Sequence, residues 1–352
     1  RLLRVRVIAI KLRRETVVLQ CLLRCQDQQL VSKAAIRIHR DHFRFPYGTA
    51  DVLKCDGYKF QVLPLFFFSK PEKSELEFLE IKNQKALTSS FPHNFTCCFS
   101  AMYNFTNVLQ LVQNLEMLQL LGVNRVVVYK TNCSADLTFL YVPGLLEVIP
   151  WSLSKYLNVS RRARPSQSPG DLHYFGQIPA LNDCLYRSMY RSKYVALHDL
   201  DELILPQSLL PLLEKKYGAD RCYLFQNSWI PTEFALPPPK PKALPPQDQW
   251  QNVSGVNILA HFYREPIVPR LRYRNFKVIV NPRAVFATSV HGVLKAKKSS
   301  VWVNRKIARI PRGQTSLKPQ SLIYEGRLLS YSADLTPAVN AVLSDTRLLQ
   351  TA

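Results

Sequence analysis

The chain has 352 residues and is 47% hydrophobic, so it is long enough for two domains and too apolar for a disordered protein. Its formal net charge is +22, from 47 Lys and Arg against 25 Asp and Glu, which would suit nucleic acid, acidic glycans, a membrane surface or anionic small molecules. The basic residues are scattered and no zinc-finger or ribonucleoprotein motif is present, which argues against a nucleic-acid-binding protein. No apolar run reaches the length of a membrane span.

Residues 1–92 predict a β-rich domain followed by a connector. Polar or Gly breaks such as PYGTAD and CDG separate short β-branched or aromatic segments, namely VRVIAI, ETVVLQCLL, AAIRIH and YKFQVLPLFFF. We therefore expect a small antiparallel β-sandwich. Residues 70–92 are charged and irregular, as is typical of a connector.

Residues 93–352 predict an α/β domain. A strand, TCCFSAMYNF, precedes an amphipathic helix that opens at Asn107 and ends near Gly122, since apolar residues recur there at helical spacing. The elements expected next are strands RVVVY and LLEVIPW, a helix from Tyr174 to Arg191, strand YVALH, a helix near Leu209 to Tyr217, strand CYLFQNSWI, an exposed Pro-rich loop, the strand pair KVIVNPRAVFATSVHGV and a terminal helix. This order is typical of a mostly parallel sheet.

Three carboxylates, Asp199, Asp201 and Glu202, directly follow YVALH. Ligands of such sheets bind beyond the carboxyl ends of the strands. Residues i and i+2 of an extended segment point to the same side, so Asp199 and Asp201 could face one ligand, and two hard oxygen donors suit Mg²⁺ or Mn²⁺. The alternative is a pair of ordinary acidic residues that cap a turn. The apolar segments on both sides, YVALH and LILP, favour the metal site.

Cysteines and sequons indicate the compartment. Eight cysteines occur without a CxxC pair, and the adjacent Cys97 and Cys98 are each expected to bond to a distant cysteine. Among 16 Asn, chance would give about two N-x-S/T sequons. Five are present, at Asn94, Asn104, Asn132, Asn158 and Asn252. Both features favour a secretory lumen or the cell exterior over a cytosolic protein with buried thiols.

Three segments together resemble glycosyltransferase family 92, over a region from about Cys98 to Val293. The most specific is HYFGQIPALNDCLYRSMYRSKYVALHDLDELILP, and the others are SAMYNFTNVLQLVQNLEMLQLLGVNRVVVY and KVIVNPRAVFATSVHGV. The family includes animal β-1,4-galactosyltransferases, and the segments resemble the avian members that extend terminal galactose on N-glycans.

The resemblance implies a glycosyltransferase A-type nucleotide-binding domain that uses UDP-galactose and Mn²⁺, or Mg²⁺. Asp199 and Asp201 match the metal motif. His291 stands where such folds often place a late metal-binding histidine. The alternative, to which we give equal weight, is a structural role. Tyr103 and Asn104 lie where the fold holds uracil and ribose; the alternative is a loop in which Asn104 is glycosylated.

Other donor contacts are open to two interpretations. Gln177, Asn182 and Asp183 lie on the helix before the metal strand and could reach the nucleotide, or could cap or cross-link that helix. Lys295, with Lys297 and Lys298, could contact the diphosphate, or could form a solvated basic turn.

A β-linkage made from an α-linked donor requires inversion, hence a general base for the acceptor hydroxyl. Glu233 is the first candidate and Asp248 the second. Trp229 and Phe234 flank Glu233 and could stack on galactose, or could pack in the core.

The function expected is inverting, metal-dependent transfer of galactose from UDP-galactose to a terminal galactose of glycoprotein glycans. We expect the Golgi lumen, and a type II membrane protein whose anchor lies outside this sequence. The alternative is an extracellular glycan- or heparin-binding protein without catalysis, against which the intact Asp199 and Asp201 argue. A phosphoryl-transfer enzyme of the P-loop class would need GxxxxGK[ST], which is absent.

Overall fold

The computed structural model describes most of the chain, in residues 5–25, 28–54, 64–68, 79–80, 83, 90–134, 144–205, 209–233, 235–239, 245, 247–266, 273, 275–305, 310–312 and 319–349. The chain divides into two compact units, residues 1–91 with 152–191 and residues 92–151 with 192–352. Residues 152–191 thus group with the N-terminal segment. The predicted domains, 1–92 and 93–352, stay a prediction.

The first unit contains two antiparallel sheets. Its strands are β1 (Val5–Leu12), β2 (Gln20–Cys25), β3 (Gln28–Lys33), β4 (Ala35–Ile38), β5 (Tyr47–Lys54), β6 (Pro64–Phe68) and β7 (Leu79–Glu80). The sheet orders are β1-β5-β4 and β3-β2-β6-β7. Cys21, Ala34 and Val52 form a small buried cluster. The sandwich arrangement of the sheets stays a prediction.

The expectation of a break at PYGTAD was wrong. Tyr47 to Asp51 belong to β5, the central strand of its sheet, with Tyr47 opposite Leu12 and Asp51 opposite both Ile8 and Arg37. Ladder hydrogen bonds on both sides outweigh the weak strand preference of Gly and Asp. The other expected break, CDG, lies outside the described residues.

The helix of the first unit is shorter than predicted. A single 3₁₀ turn, Tyr174–Gly176, precedes α2 (Gln177–Arg187). Phe175 and Gly176 have φ of 51° and 71°, a left-handed conformation that prevents one continuous helix.

The second unit is built on an eight-stranded sheet. The strands of this sheet are β8 (His93–Met102), β9 (Arg125–Lys130), β10 (Leu146–Pro150), β11 (Ser192–His198), β12 (Cys222–Trp229), β14 (Phe276–Val280), β17 (Ser300–Trp302) and β18 (Ile310–Arg312). Four further strands form two separate antiparallel pairs, β13 (Tyr263–Arg264) with β19 (Ile323–Tyr324) and β15 (Val285–Ser289) with β16 (Gly292–Ala296). The sheet order is β10-β9-β8-β11-β14-β12-β17, with β18 also on β12. Only β14 runs antiparallel to its neighbours in this order.

The described part of the second unit contains the helices α1 (Val108–Leu120), α3 (Leu209–Tyr217) and α4 (Ser332–Asp345), and each was predicted. The Asn107 side chain caps α1 by accepting a hydrogen bond from the Gln110 N–H, and Gly122 adopts φ of 87° just beyond the helix end. Within the described residues no helix is both long enough and apolar enough to cross a membrane.

The parallel strands create one edge at which a ligand site is expected. β8, β9, β10, β11 and β12 all end there, and β14 begins there; we call it the carboxyl edge. The strand interiors are buried, as in Phe99, Val126, Ala196 and Phe225. The result is a mixed, mostly parallel α/β unit, as a glycosyltransferase-like fold requires.

Candidate functional site

The acidic segment after β11 forms a hydrogen-bonded turn. The Glu202 N–H donates to the Asp199 carbonyl at 3.1 Å, and the Asp199 N–H donates to Glu202 Oε2 at 2.9 Å. The expectation of an extended segment was therefore wrong, and the alternation of an extended strand does not decide where Asp199 and Asp201 point. Both remain half-buried at the carboxyl edge. The next three residues, Leu203 to Leu205, are buried as predicted.

A buried lysine is the counter-ion of this turn. Lys277, on β14, has a side chain that is 1% exposed, and its Nζ lies 2.9 Å from Asp199 Oδ2 and 3.5 Å from Glu202 Oε2. Taking an ammonium out of water costs several kcal/mol unless carboxylates pair with it. Two carboxylates from one turn meet that requirement.

Glu202 is held from three directions and is fully buried. Asn227, on β12, donates its Nδ2 to Glu202 Oε1 at 2.8 Å, while Oε2 accepts from Asp199 and faces Lys277. Asn114, on α1, donates to the carbonyl of Leu200. Side chains from two strands and a helix thus hold the turn in place.

A neutral histidine lies beneath the turn. His198 Nδ1 is 3.0 Å from the Asp199 carbonyl, which can only accept, so Nδ1 carries the proton. Nε2 then accepts from the Cys97 thiol at 3.1 Å. Burial is the main cause that lowers the pKa of His198 to about 4, and burial followed by the charge of Glu202 raises the pKa of Cys97 well above its usual value.

His291 also reaches the carboxyl edge. It is half-buried, and its Nδ1 donates to the carbonyl of Phe276, the first residue of β14, at 3.3 Å. In the neutral ring this leaves the lone pair on Nε2. Gly292 has φ of 122°, and a Cβ there would lie 3.0 Å from the Phe276 ring, so glycine permits the close approach. Among the described residues, no three His, Cys, Asp or Glu side chains form a group that could hold a metal.

Tyr103 and Asn104 follow β8 at the same edge. Asn104 is exposed, with φ of 44°, and its N–H donates to Asn132 Oδ1 at 2.8 Å. The Asn132 amide donates back to Asn104 Oδ1. The described contacts of Asn104 therefore lie with another sequon asparagine, and its role in nucleotide binding stays a prediction.

The predicted helix residues lie on α2 in the first unit. Gln177 is its buried first residue, Asn182 donates to the Ile178 carbonyl at 2.9 Å, and Asp183 pairs with Arg187 one turn later at 3.0 Å. These are helix cross-links, as the alternative interpretation expected. Their contact with a nucleotide stays a prediction.

The residues predicted to contact the acceptor differ in their exposure and position. Glu233 is exposed and comes four residues after Trp229, the half-buried last residue of β12, a strand that ends at the carboxyl edge. Phe234 is outside the described residues. Asp248 is exposed at the start of a 3₁₀ turn that packs Trp250 against Asn340 of α4, with Trp250 Nε1 donating at 2.7 Å.

The basic residues after His291 extend away from this edge. Lys295 is exposed on β16, with Nζ 5.8 Å from the Phe286 ring centroid. Lys298 pairs at 4.0 Å with Asp220, which precedes β12 at the opposite edge of the sheet. A solvated basic turn describes Lys298 better than a diphosphate contact does.

The secretory features are compatible with the structure. All five sequon asparagines are exposed. Cys98 and Cys184 are disulfide-bonded, whereas Cys97 is a buried thiol, so the expectation that both adjacent cysteines form disulfides was wrong for Cys97. Its partner is the His198 ring instead.

The comparisons with known proteins name the family. The model of glycosyltransferase family 92 matches residues 93–315, more than half of the chain. The chain belongs to glycosyltransferase family 92. Its match begins at the first residue of β8 and contains Asp199, Asp201, Lys277 and His291. A search of curated proteins finds no match. A family 92 chain is a glycosyltransferase, so it binds a sugar donor and an acceptor.

Sequence reasoning did not single out Lys277 or Asn227, and it gave Glu202 no role. One signal was present: Lys277 is the only charged residue in the apolar strand FKVIV. A charge in a buried strand must be paired, and the acidic residues that follow β11, earlier in the sequence, are a natural partner.

Proposed function

We propose that this glycosyltransferase transfers galactose from UDP-galactose to a terminal galactose of a glycoprotein glycan, in β-1,4 linkage, with Mn²⁺ or Mg²⁺. One observation carries the site: Asp199 and Asp201 stand at the carboxyl edge of a mostly parallel sheet, directly after its buried strand β11. The sugar and the linkage rest on the resemblance of the segments around this turn to β-1,4-galactosyltransferases.

The residues of the turn fit a divalent cation. Mg²⁺-type ions are bound by one or two carboxylates plus substrate phosphates and water. Asp199 and Asp201 supply two such carboxylates, and Asp199 keeps 18% of its side-chain surface exposed. Among Asp199, Asp201, Glu202 and Lys277 the formal charges leave an excess of two negative charges. His291 lies at the same edge, but its side chain does not form a three-ligand group with Asp199 and Asp201 in the described structure, so the proposed ligands are the two aspartates.

Bound there, a divalent cation supplies Lewis-acid stabilisation of the negative charge that develops on the leaving UDP. The chain's own residues orient the donor: the turn fixes Asp199 through Lys277, and Leu203 to Leu205 anchor the turn in the core. Glu233 would accept the proton of the acceptor hydroxyl, since it follows β12, which ends at the same edge of the sheet as β11. Asp248 remains the second candidate for the base.

The proposed compartment is the Golgi lumen. Exposed sequons at all five positions and two disulfide-bonded cysteines support it. The test is to express the protein in animal cells, treat it with N-glycosidase and measure its electrophoretic mobility. A shifted band is expected, and an unshifted band would oppose the proposed compartment.

A donor screen tests the proposed function. Several UDP-sugars are incubated with a galactose-terminated acceptor, with and without Mn²⁺, and UDP release is measured. UDP-galactose with Mn²⁺ should give the highest rate, and chelation should abolish it. A higher rate with another sugar would overturn the donor. No release from any donor, together with salt-sensitive heparin binding, would favour the non-catalytic alternative.

The base is tested by Glu233→Gln, with Asp248→Asn as the matched comparison. We expect Glu233→Gln to lower kcat about 100-fold or more, the usual contribution of a general base. A loss confined to Asp248→Asn would transfer the assignment to that residue.

A further inference from the structure

The buried ammonium of Lys277 bridges two carboxylates that differ in exposure. Glu202 is fully buried, with Asn227 and the Asp199 N–H donating to it, so its position is fixed within the turn. Asp199 is partly exposed, and its Oδ2 lies 2.9 Å from Lys277 Nζ. Lys277 therefore ties a partly exposed carboxylate to a fixed one.

Lys277 contacts one of the two oxygens of the Asp199 carboxylate. Oδ2 faces Lys277, whereas Oδ1 lies 3.5 Å from Ser100 Oγ at the end of β8, a distance at the limit of a hydrogen bond. A carboxylate without the ammonium could rotate about its Cβ–Cγ bond. With it, one orientation is strongly preferred.

We propose that Lys277 is a positioning residue that orients Asp199 for the divalent cation and donor diphosphate. The inference rests on the proposed function and adds a residue 78 positions from the acidic turn. Lys277 touches neither donor nor acceptor in this account. It acts through Asp199, as residues that hydrogen-bond metal ligands do when they fix ligand geometry.

Two effects of Lys277 must be separated. Removing it alone leaves an uncompensated buried charge at Glu202, which lowers stability. It also makes the turn more negative, which by itself would attract a cation more strongly. A single substitution therefore mixes lost orientation, lost stability and altered charge.

The double variant Lys277→Met, Glu202→Gln separates them. It removes one positive and one negative charge, so the formal charge of the turn is unchanged and the ion left without its partner is the partly exposed Asp199. Replacing a buried ion pair by neutral residues is often close to neutral for stability. The new glutamine keeps one oxygen to accept from the Asp199 N–H, and Asn227 can turn its amide oxygen toward the new NH₂ group, so the main loss is the ammonium held against Asp199.

A matched control exists in the same sheet. Arg125 and Glu147, on β9 and β10, form a 2.8 Å ion pair, and Arg125 is the first residue of β9, at the edge opposite the acidic turn. The variant Arg125→Met, Glu147→Gln makes the same change of charge without touching Asp199.

Mn²⁺ binding is measured in the presence of UDP, with the electron paramagnetic resonance signal of free Mn²⁺ as the readout. This measurement does not require turnover. We expect the Lys277→Met, Glu202→Gln variant to bind Mn²⁺ about 10- to 100-fold more weakly than wild type. The control should bind like wild type, and thermal unfolding should show both variants folded.

Three results would overturn the inference. The first is an unchanged Mn²⁺ affinity in the Lys277 and Glu202 variant while wild type binds Mn²⁺ and releases UDP. The second is an equal loss of affinity in the Arg125 and Glu147 control. The third is a wild-type protein that neither binds Mn²⁺ nor releases UDP from any donor, and only this result also overturns the proposed function.

Discussion

Within the described residues, each unit contains a buried ionic cluster, and the two clusters differ in charge balance. In the first unit Asp51, 3% exposed, lies 3.6 Å from the guanidinium of Arg6 and 3.3 Å from His39 Nε2. In the second unit Asp199 and Glu202 share the single ammonium of Lys277.

The difference indicates which cluster is built for a ligand. Asp51 lies within the central strand β5, where the sheet surrounds it and two basic groups face it. The acidic turn lies after a strand end, has more carboxylates than cations among its described ion pairs, and keeps Asp199 partly exposed. A buried carboxylate that is already paired needs no further partner, whereas excess negative charge at the carboxyl edge of a sheet attracts a cation.

The largest effect on activity is expected from Asp201→Ala. Because Asp201 is half-buried in a turn at the end of a strand, the protein should fold normally. UDP release should fall about 100-fold or more, since a cation ligand is lost. Turnover and thermal unfolding are measured on the same preparation. Unchanged turnover would remove Asp201 from the site and with it the contrast between the two clusters.

The matching change in the first unit, Asp51→Asn, should act on stability instead. Arg6 would lose the carboxylate that offsets its burial, which already lowers its pKa. We expect a loss of about 3 kcal/mol in the free energy of unfolding, measured with urea. The kcat per folded molecule should stay at the wild-type value; a large decrease in kcat at full folding would contradict a purely structural role for this cluster.

The histidine beneath the acidic turn sets a pH dependence of stability. His198 has a folded pKa of about 4 against about 6.5 when unfolded, so between these values the unfolded chain binds the extra proton. Stability should therefore fall as the pH drops from 6.5 to 4, by roughly 3 kcal/mol at most from this group. His198→Asn should reduce that slope in urea titrations of the metal-free protein, and parallel curves for the two proteins would refute the assignment.

A third buried carboxylate, Glu116 on α1, should show the smallest effect. It is 8% exposed and accepts a hydrogen bond from the Gln119 amide at 3.0 Å. Burial raises its pKa, so the folded state disfavours its charge. Glu116→Gln should stabilise the protein slightly at pH 7, and the gain should vanish below the unfolded pKa of about 4.5, where the carboxyl is protonated in both states. A destabilised variant at pH 7 would mean that the carboxylate has an additional favourable contact.

Local signals predicted the helices and most strands. Asn107 and Gly122 bound α1 as expected, since apolar periodicity and caps are properties of neighbouring residues. The family was also predictable, from the three segments that resemble it. The position of Asp199 after β11 was predictable because an apolar strand followed by acidic residues is visible in the sequence.

What could not be predicted depends on contacts between distant segments. The strand β5 contains turn-type residues such as Gly48 and Asp51, and it forms because β1 and β4 pair with both of its sides. Lys277 meets Asp199 only because β14 lies antiparallel beside β11, across 78 residues of sequence. Strand order is not encoded in local periodicity.

The most direct test of the account is anomalous diffraction from crystals grown with Mn²⁺ and UDP. We expect a Mn²⁺ peak about 2.0–2.3 Å from carboxylate oxygens of Asp199 and Asp201, with the diphosphate completing the coordination and Lys277 still against Asp199 Oδ2. Mn²⁺ and UDP bound at a place that includes neither carboxylate would contradict it.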